Sequence, residues 1–290
     1  MKQVYLTSKG YPVQISHFPG WTRYKYKNLI DKMASIKIGG LPENLQIITC
    51  VDDDSVAYGK SPLINQLNKN GIPFINAAEH KDVYPWVNNK KIQLLYDALQ
   101  NVTSEYCLIL DGIDVAINDD LSDIINIYKT YNKKIIYNAT PWMHPKVVID
   151  VIDNRKELYG KYCFLNAGCC IGETKALQDF YNEILEFFNN TPKDDQFWAS
   201  EQYYVRRVFS NHMDTVFFDY DCKLFQVWHR TEVNLPQIDS KTGNIIYQIN
   251  DEIEQSNNDD KKPKIELSQD DLNSAMKLAE DIVKNNNKHT

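Results

Sequence analysis

The chain has 290 residues, 43% of them hydrophobic and 24% charged, enough to bury a sizeable core in one large α/β domain with a small appendage. A formal net charge of −7 argues against nucleic acid or an anionic membrane surface as the main partner. No window approaches the roughly 18 apolar residues of a membrane span, and the six cysteines show no C-x-x-C spacing, so they read as reduced core thiols.

The opening residues, MKQVYLTSKGYPVQ, lack the apolar stretch of a secretory signal, which leads us to expect a cytoplasmic protein. Residues 1–44 are expected to pack on the core as an N-terminal extension. The first strong strand is LQIITCV, Leu45–Val51, and it runs into three acids, Asp52, Asp53 and Asp54. Ser61 as N-cap, Pro62 at the first helical position and Gly71 as the stop then predict a helix over SPLINQLNKNG. IPFINA is a short strand. NNKKIQLLYDALQNV sets Ile92, Leu95 and Leu99 on one helical stripe and leads into the strand YCLIL.

DLSDIINIYKTY reads as a helix and KKIIYNA as a strand. TKALQDFYNEILEFFN is a longer helix with Leu177, Phe180, Tyr181, Ile184 and Phe188 facing inward. SEQYYVRRVF is again helical, and TVFFDYDCKLFQV holds one or two strands. Alternating strands and helices predict a mostly parallel sheet with helices on its faces, whose ligands bind beyond the carboxyl ends of the strands. That core domain is expected over 45–249, followed by a polar linker over 250–264. Ser268 and Asp271 then approximate a capping box. Leu272, Ala275, Met276, Ala279, Ile282 and Val283 form an amphipathic stripe, so 265–290 is expected to dock as a helix on the domain or on a second copy, giving a homodimer.

Asp111 and Asp114 follow the apolar run CLIL directly. Charges at the end of a buried strand are costly unless paired or bound to a cation. Two carboxylates on such a turn supply hard oxygen ligands to Mn²⁺ or Mg²⁺ and leave positions for water and a diphosphate. The competing account is a pair that caps a turn and the next helix. A haloacid-dehalogenase-type phosphohydrolase would want Asp-x-Asp here, and Ile113 occupies the second acidic position.

Several further segments follow in a telling order: NNKKIQLLYDAL before the aspartates, then IIYNATPWMHP, FLNAGCCIG, DDQFWASEQYYVRRVF and DCKLFQ after them. With the Asp-x-x-Asp, this order resembles the glycosyltransferase domain of the procollagen lysyl hydroxylases and collagen glycosyltransferases, from about Leu45 to Leu235. The resemblance implies a GT-A type, Rossmann-like fold, with the terminal helix as an appendage. It also implies a UDP-sugar donor with Mn²⁺ or Mg²⁺, and transfer of glucose or galactose to an acceptor hydroxyl. The acceptor would be hydroxylysine or galactosylhydroxylysine of a collagen-like polypeptide, with a glycan or small molecule as the alternative, and a non-catalytic sugar-nucleotide-binding module as a rival of another class. Such an enzyme in a eukaryote would carry a signal peptide, so either a bacterial or viral origin or a leader already removed is expected.

Carried over by position, Asp111 and Asp114 would hold the metal and diphosphate, Asp52 the uridine, and Lys91 the diphosphate. Trp142 and Asn166 would contact the donor sugar, and Gly168 would let the backbone approach the ligand. NAGCCIG has a tight turn between strands as its alternative reading. The family's acidic run before a glutamine corresponds either to Glu201 and Gln202 or to Asp194, Asp195 and Gln196, and the following YYVRRVF favours the first. We take Asp195, Glu201 and Gln202 as candidate catalytic residues. The family's third metal ligand is a downstream histidine, absent at that spacing here; His229 is the nearest substitute.

Overall fold

The computed structural model describes residues 3–118, 120–142, 144, 158–192, 200–228, 231–233, 237–238 and 245–251. From the N-terminus these include β1 (Gln3–Leu6), β2 (Ile15–His17), α1 (Thr22–Lys25), α2 (Lys27–Ala34), β3 (Leu45–Thr49), α3 (Asp53–Ala57) and α4 (Pro62–Asn70). Next come β4 (Phe74–Asn76), α5 (Lys90–Gln100), β5 (Tyr106–Leu110), β6 (Val115–Ile117), α6 (Ile124–Lys129), β7 (Ile135–Thr140) and β8 (Phe164–Glu173). The remainder are α7 (Thr174–Asn190), α8 (Glu201–Phe209), β9 (Val216–Phe218), β10 (Phe225–Val227), β11 (Thr231–Val233), β12 (Gln237–Ile238) and β13 (Ile245–Asp251).

The main sheet has the order β4-β3-β5-β8-β7-β9. β8 runs antiparallel to both neighbours, β5 and β7, while the other pairings are parallel, so the expected mostly parallel sheet is present. Successive strand residues feed opposite faces. Ile48, Ile109 and Ile135 join one core with Leu95 of α5, Phe180 of α7 and Tyr204 of α8. Ile47, Leu108 and Ile136 join another with Leu63 and Leu67 of α4 and Ile124 of α6. Phe188, expected inward on α7, is half-buried at the margin of the first core. All six cysteines are buried and none forms a disulfide.

α4 forms as its local residues dictate. Ser61 Oγ accepts from the Ile64 N–H at 3.1 Å, Pro62 opens the helix, and Gly71 closes it at φ +63°, a conformation that costs glycine least. The Ser61 hydroxyl also donates to the Gly112 carbonyl at 2.7 Å, tying this helix start to the turn that follows β5.

A second sheet sets β2 between β10 and β6. His17 lies opposite Val115 of β6 and Val227 of β10. The Phe18 N–H donates to the Asp114 carbonyl at 2.8 Å, and the Trp228 N–H donates to the His17 carbonyl at 2.8 Å. Behind this junction Phe18 and Trp228 stack with ring centroids 5.2 Å apart, over Ile30 and Met33 of α2. The N-terminal strand is thereby fixed beside the turn that carries the two aspartates.

β13 pairs with β1, β11 and β12 in a third sheet and ends at Asp251, two residues into the stretch expected as a linker. The rest of that stretch and the terminal helix lie outside the described residues.

Candidate active site

The chemistry-bearing side chains gather where β3, β5 and β7 end at the same edge of the sheet. Asp111 directly follows β5 and Asp114 directly precedes β6. The segment between them passes close under β3: a Cβ at Gly112 would lie 2.0 Å from Val51 Cγ2 and 2.8 Å from Thr49 Oγ1.

Opposite Asp111, β8 leaves the register of β7. Tyr137 pairs with Cys170, but Asn138 pairs with Asn166, so Ala167, Gly168 and Cys169 bulge between them. Within this bulge the Gly168 carbonyl accepts from the Asp111 N–H at 2.7 Å, and the Gly168 N–H donates to Asn166 Oδ1 at 2.9 Å. NAGCCIG is therefore a bulged strand and not a turn between strands.

Three potential ligands converge in front of the bulge. Nε2 of His17 lies 3.5 Å from Asp114 Oδ1 and 3.8 Å from Asp111 Oδ2. One ligand atom from each of the three falls within 4.8 Å of the others. His17 is 2% exposed and its Nε2 has no hydrogen-bond partner. The two distances from Nε2 lie within about 1 Å of the edge of about 3 Å expected when ligands stand about 2.1 Å from an octahedral ion. An unpartnered imidazole nitrogen facing two carboxylates fits a divalent cation.

The other oxygen of Asp111 serves a different charge. Lys91, in the first turn of α5, contacts Asp111 Oδ1 and also Glu201 Oε1 at 3.3 Å. Burial alone would push the Lys91 ammonium down. The Asp111 and Glu201 carboxylates outweigh that and hold its pKa well above the usual lysine value. Burial raises the Glu201 pKa, with Lys91 opposing and Asp111 reinforcing the rise. Burial also acts to raise Asp114, but His17, Lys91 and Arg23 together bring its carboxyl below the ordinary value. The neighbouring Cys50 thiol is pushed up to about 12, chiefly by burial, and stays protonated at neutral pH.

The other predicted residues are distributed as follows. Asp52 stands beyond β3 and caps α3, accepting from the Ser55 N–H at 2.8 Å. Trp142 lies two residues past β7, with 39% of its surface exposed. Asn166 is buried, and its Oδ1 serves the bulge. Both ends of the Gln202 amide are engaged: Oε1 accepts from the Ala167 N–H at 3.0 Å, and Nε2 donates to the His144 carbonyl. It braces the bulge against the segment after β7. Asp195 and His229 lie outside the described residues.

Sequence reasoning missed His17, because it sought the histidine downstream, and it missed Asn138, whose Nδ2 is 2.9 Å from His17 Nδ1. The signal available was a histidine closing the apolar stretch VQISH, with nothing local to show what it would face.

No curated protein sequence matches the chain. Among solved structures, the glycosyltransferase GlyE of Streptococcus pneumoniae TIGR4 aligns at a TM-score of 0.35 and 12% identity, over 75% of this chain and 46% of that one. The chain thus spans just under half the length of that enzyme. The 4-diphosphocytidyl-2C-methyl-D-erythritol synthase of Anaerococcus prevotii DSM 20548 aligns at a TM-score of 0.31 and 12% identity, over 76% of this chain and 86% of that one. Residues 81–269, more than half of the sequence, match the family model described as the PLOD GT domain. With its glycosyltransferase-like α/β fold, compatible with GT-A, the chain belongs to that glycosyltransferase family.

Proposed function

We propose that the chain is a divalent-cation-dependent hexosyltransferase, taking glucose or galactose from a UDP-sugar and passing it to an acceptor hydroxyl. The observation that carries this reading is the convergence of His17, Asp111 and Asp114 at the end of β5, with Lys91 on the far oxygen of Asp111. Those three side chains would hold Mn²⁺, or Mg²⁺ in its place, with His229 as a further candidate ligand. When bound, the cation supplies Lewis-acid stabilisation of charge on the departing diphosphate. Lys91 adds a second, permanently charged donor from the protein itself. Asp52, beyond the neighbouring strand, is the proposed uridine contact.

In this reading the indole of Trp142 lies against the apolar face of the hexose, and Asn166 with Gly168 lines the sugar's other side. The bond from the anomeric carbon to the diphosphate oxygen breaks, a bond from that carbon to the acceptor oxygen forms, and the acceptor proton leaves. Glu201 is the candidate for the acceptor side, as base for that proton or as a carboxylate facing positive character at the anomeric carbon. Its raised pKa brings it nearer the pH at which a base works. Asp195 is the alternative for the same role, and Gln202 keeps the bulge in place. The proposed acceptor is hydroxylysine or galactosylhydroxylysine in a collagen-like polypeptide.

Incubation with UDP-glucose or UDP-galactose, Mn²⁺ and a panel of acceptors tests this, read by mass spectrometry. The panel should hold hydroxylysine peptides, galactosylhydroxylysine peptides and free glycans. Gain of one hexose on a hydroxylysine-containing peptide is the expected result. Transfer only to free glycans would replace the acceptor, and transfer to none would contradict the catalytic reading.

A further inference from the structure

We propose that Asn138 is a positioning residue: by turning its amide it satisfies Nδ1 of His17 in either tautomer, and so lets Nε2 give up its proton and face the cation. The inference rests on the reading of His17, Asp111 and Asp114 as a metal group, and it assigns a role to a side chain that touches neither metal nor substrate.

Asn138 is fully buried in β7, at the point where the β8 bulge breaks register. Its amide meets His17 Nδ1 at 2.9 Å. Two buried polar atoms here lack hydrogen-bond partners, His17 Nε2 and Asn138 Oδ1. With Nδ2 of Asn138 donating to Nδ1, the neutral imidazole must carry its proton on Nε2, pointing at the two carboxylates. That arrangement suits the cation-free site, because an N–H faces Asp111 and Asp114.

A ligating Nε2 needs its lone pair free, so the proton must move to Nδ1, which then needs an acceptor. An amide holds a donor and an acceptor on the same carbon. Turning over about its terminal bond puts Oδ1 against Nδ1–H without moving the backbone. Asparagine therefore serves both states of the histidine, where leucine would serve neither and aspartate would serve the ligating one. Histidines that bind metals commonly direct their second nitrogen to such an acceptor, and loss of the acceptor costs about 10–100-fold in metal affinity.

Gly168 shows how closely the ring is held. A Cβ there would lie 2.3 Å from His17 Cε1 and 2.7 Å from Nε2, so the imidazole is boxed between the bulge and the Asn138 amide. With the ring plane set by packing, the amide is left to match whichever tautomer the site requires.

Two measurements test this on the full chain without nucleotide or acceptor. Calorimetric titration with Mn²⁺ compares wild type, Asn138→Leu and Asn138→Asp. Affinity should fall about 10–100-fold in Asn138→Leu and recover to within a few-fold of wild type in Asn138→Asp. Long-range ¹H–¹⁵N spectra of histidine-labelled protein, assigned with His17→Gln, then read the tautomer directly. Wild type should carry the proton on Nε2 without metal and on Nδ1 with diamagnetic Mg²⁺. If Asn138→Leu does not fold, Asn138→Asp and the wild-type spectra still decide. Wild-type Mn²⁺ uptake with unchanged affinity in Asn138→Leu would overturn the role of Asn138 alone, whereas a proton that stays on Nε2 in the bound protein would remove His17 from the metal group and this inference with it. No Mn²⁺ uptake by wild type would overturn the metal group and this inference with it.

Discussion

Gly168 gives the sharpest residue-scale test of the site's packing, because any side chain there enters the space of His17 and comes within 3.0 Å of Asp111 Oδ2. Gly168→Ala must displace the imidazole or open the bulge, and we expect a loss of about tenfold or more in Mn²⁺ affinity by titration calorimetry. An unchanged affinity would contradict the reading that an imidazole held against this bulge is a ligand. Glu201 supplies a pH test. Its native pKa is raised above the ordinary 4.5, so the fold holds its proton more tightly than the unfolded chain does. Its contribution to stability is therefore greatest below the unfolded value and declines as pH rises through the native one. Urea midpoints across that window should decline less steeply in Glu201→Gln than in wild type. Asp111 and Asp114 were legible in the sequence because they follow a strongly patterned strand, while Lys91 and Glu201 were singled out through the family resemblance. His17 and Asn138 were not legible, since their meeting depends on β2 pairing with β6 almost a hundred residues away and on a register shift no local pattern announces.

At the scale of elements, local chemistry was read well and pairing was not. The cap, proline and glycine of α4 act within one turn, so their residues announced the helix, whereas the Ser61 hydroxyl's second bond to Gly112 could not be foreseen. The stretch TVFFDYDCKLFQV divides into β9 and β10 because of Asp219. That buried carboxylate accepts from the N–H groups of Lys223, Leu224 and Phe225 at 2.9, 2.8 and 2.7 Å, and from the Tyr131 hydroxyl. It shapes the turn that delivers β10 to β2. Asp219→Asn turns one acceptor oxygen into a donor against those N–H groups and should cost about 2–3 kcal/mol in chemical denaturation. A loss below about 0.5 kcal/mol would mean the turn is held by backbone alone. β8 was hidden altogether, since FLNAGCCIG reads as a ligand-facing segment or a tight turn and an apolar run buried on both faces gives no alternating signal.

For the whole molecule, the alternation of strand and helix between residues 45 and 227 made the main sheet predictable, while the small sheet that carries His17 was not. The region matched by the family model, 81–269, holds Lys91, Asp111, Asp114, Asn138, Gly168 and Glu201, but β2 lies outside it. The candidate site is thus assembled from the family's core and from an N-terminal strand packed against it. Among the described residues no helix is long and apolar enough to cross a membrane. The central claim is that the two aspartates hold a cation against a sugar diphosphate, and UDP release from a panel of UDP-sugars tests it most directly. It should be followed with Mn²⁺ and with chelator, in wild type and in Asp111→Ala/Asp114→Ala. We expect Mn²⁺-dependent release from UDP-glucose or UDP-galactose in wild type and none in the double variant. Equal release by both proteins, or no release from any donor by a wild type that still binds UDP, would contradict the account.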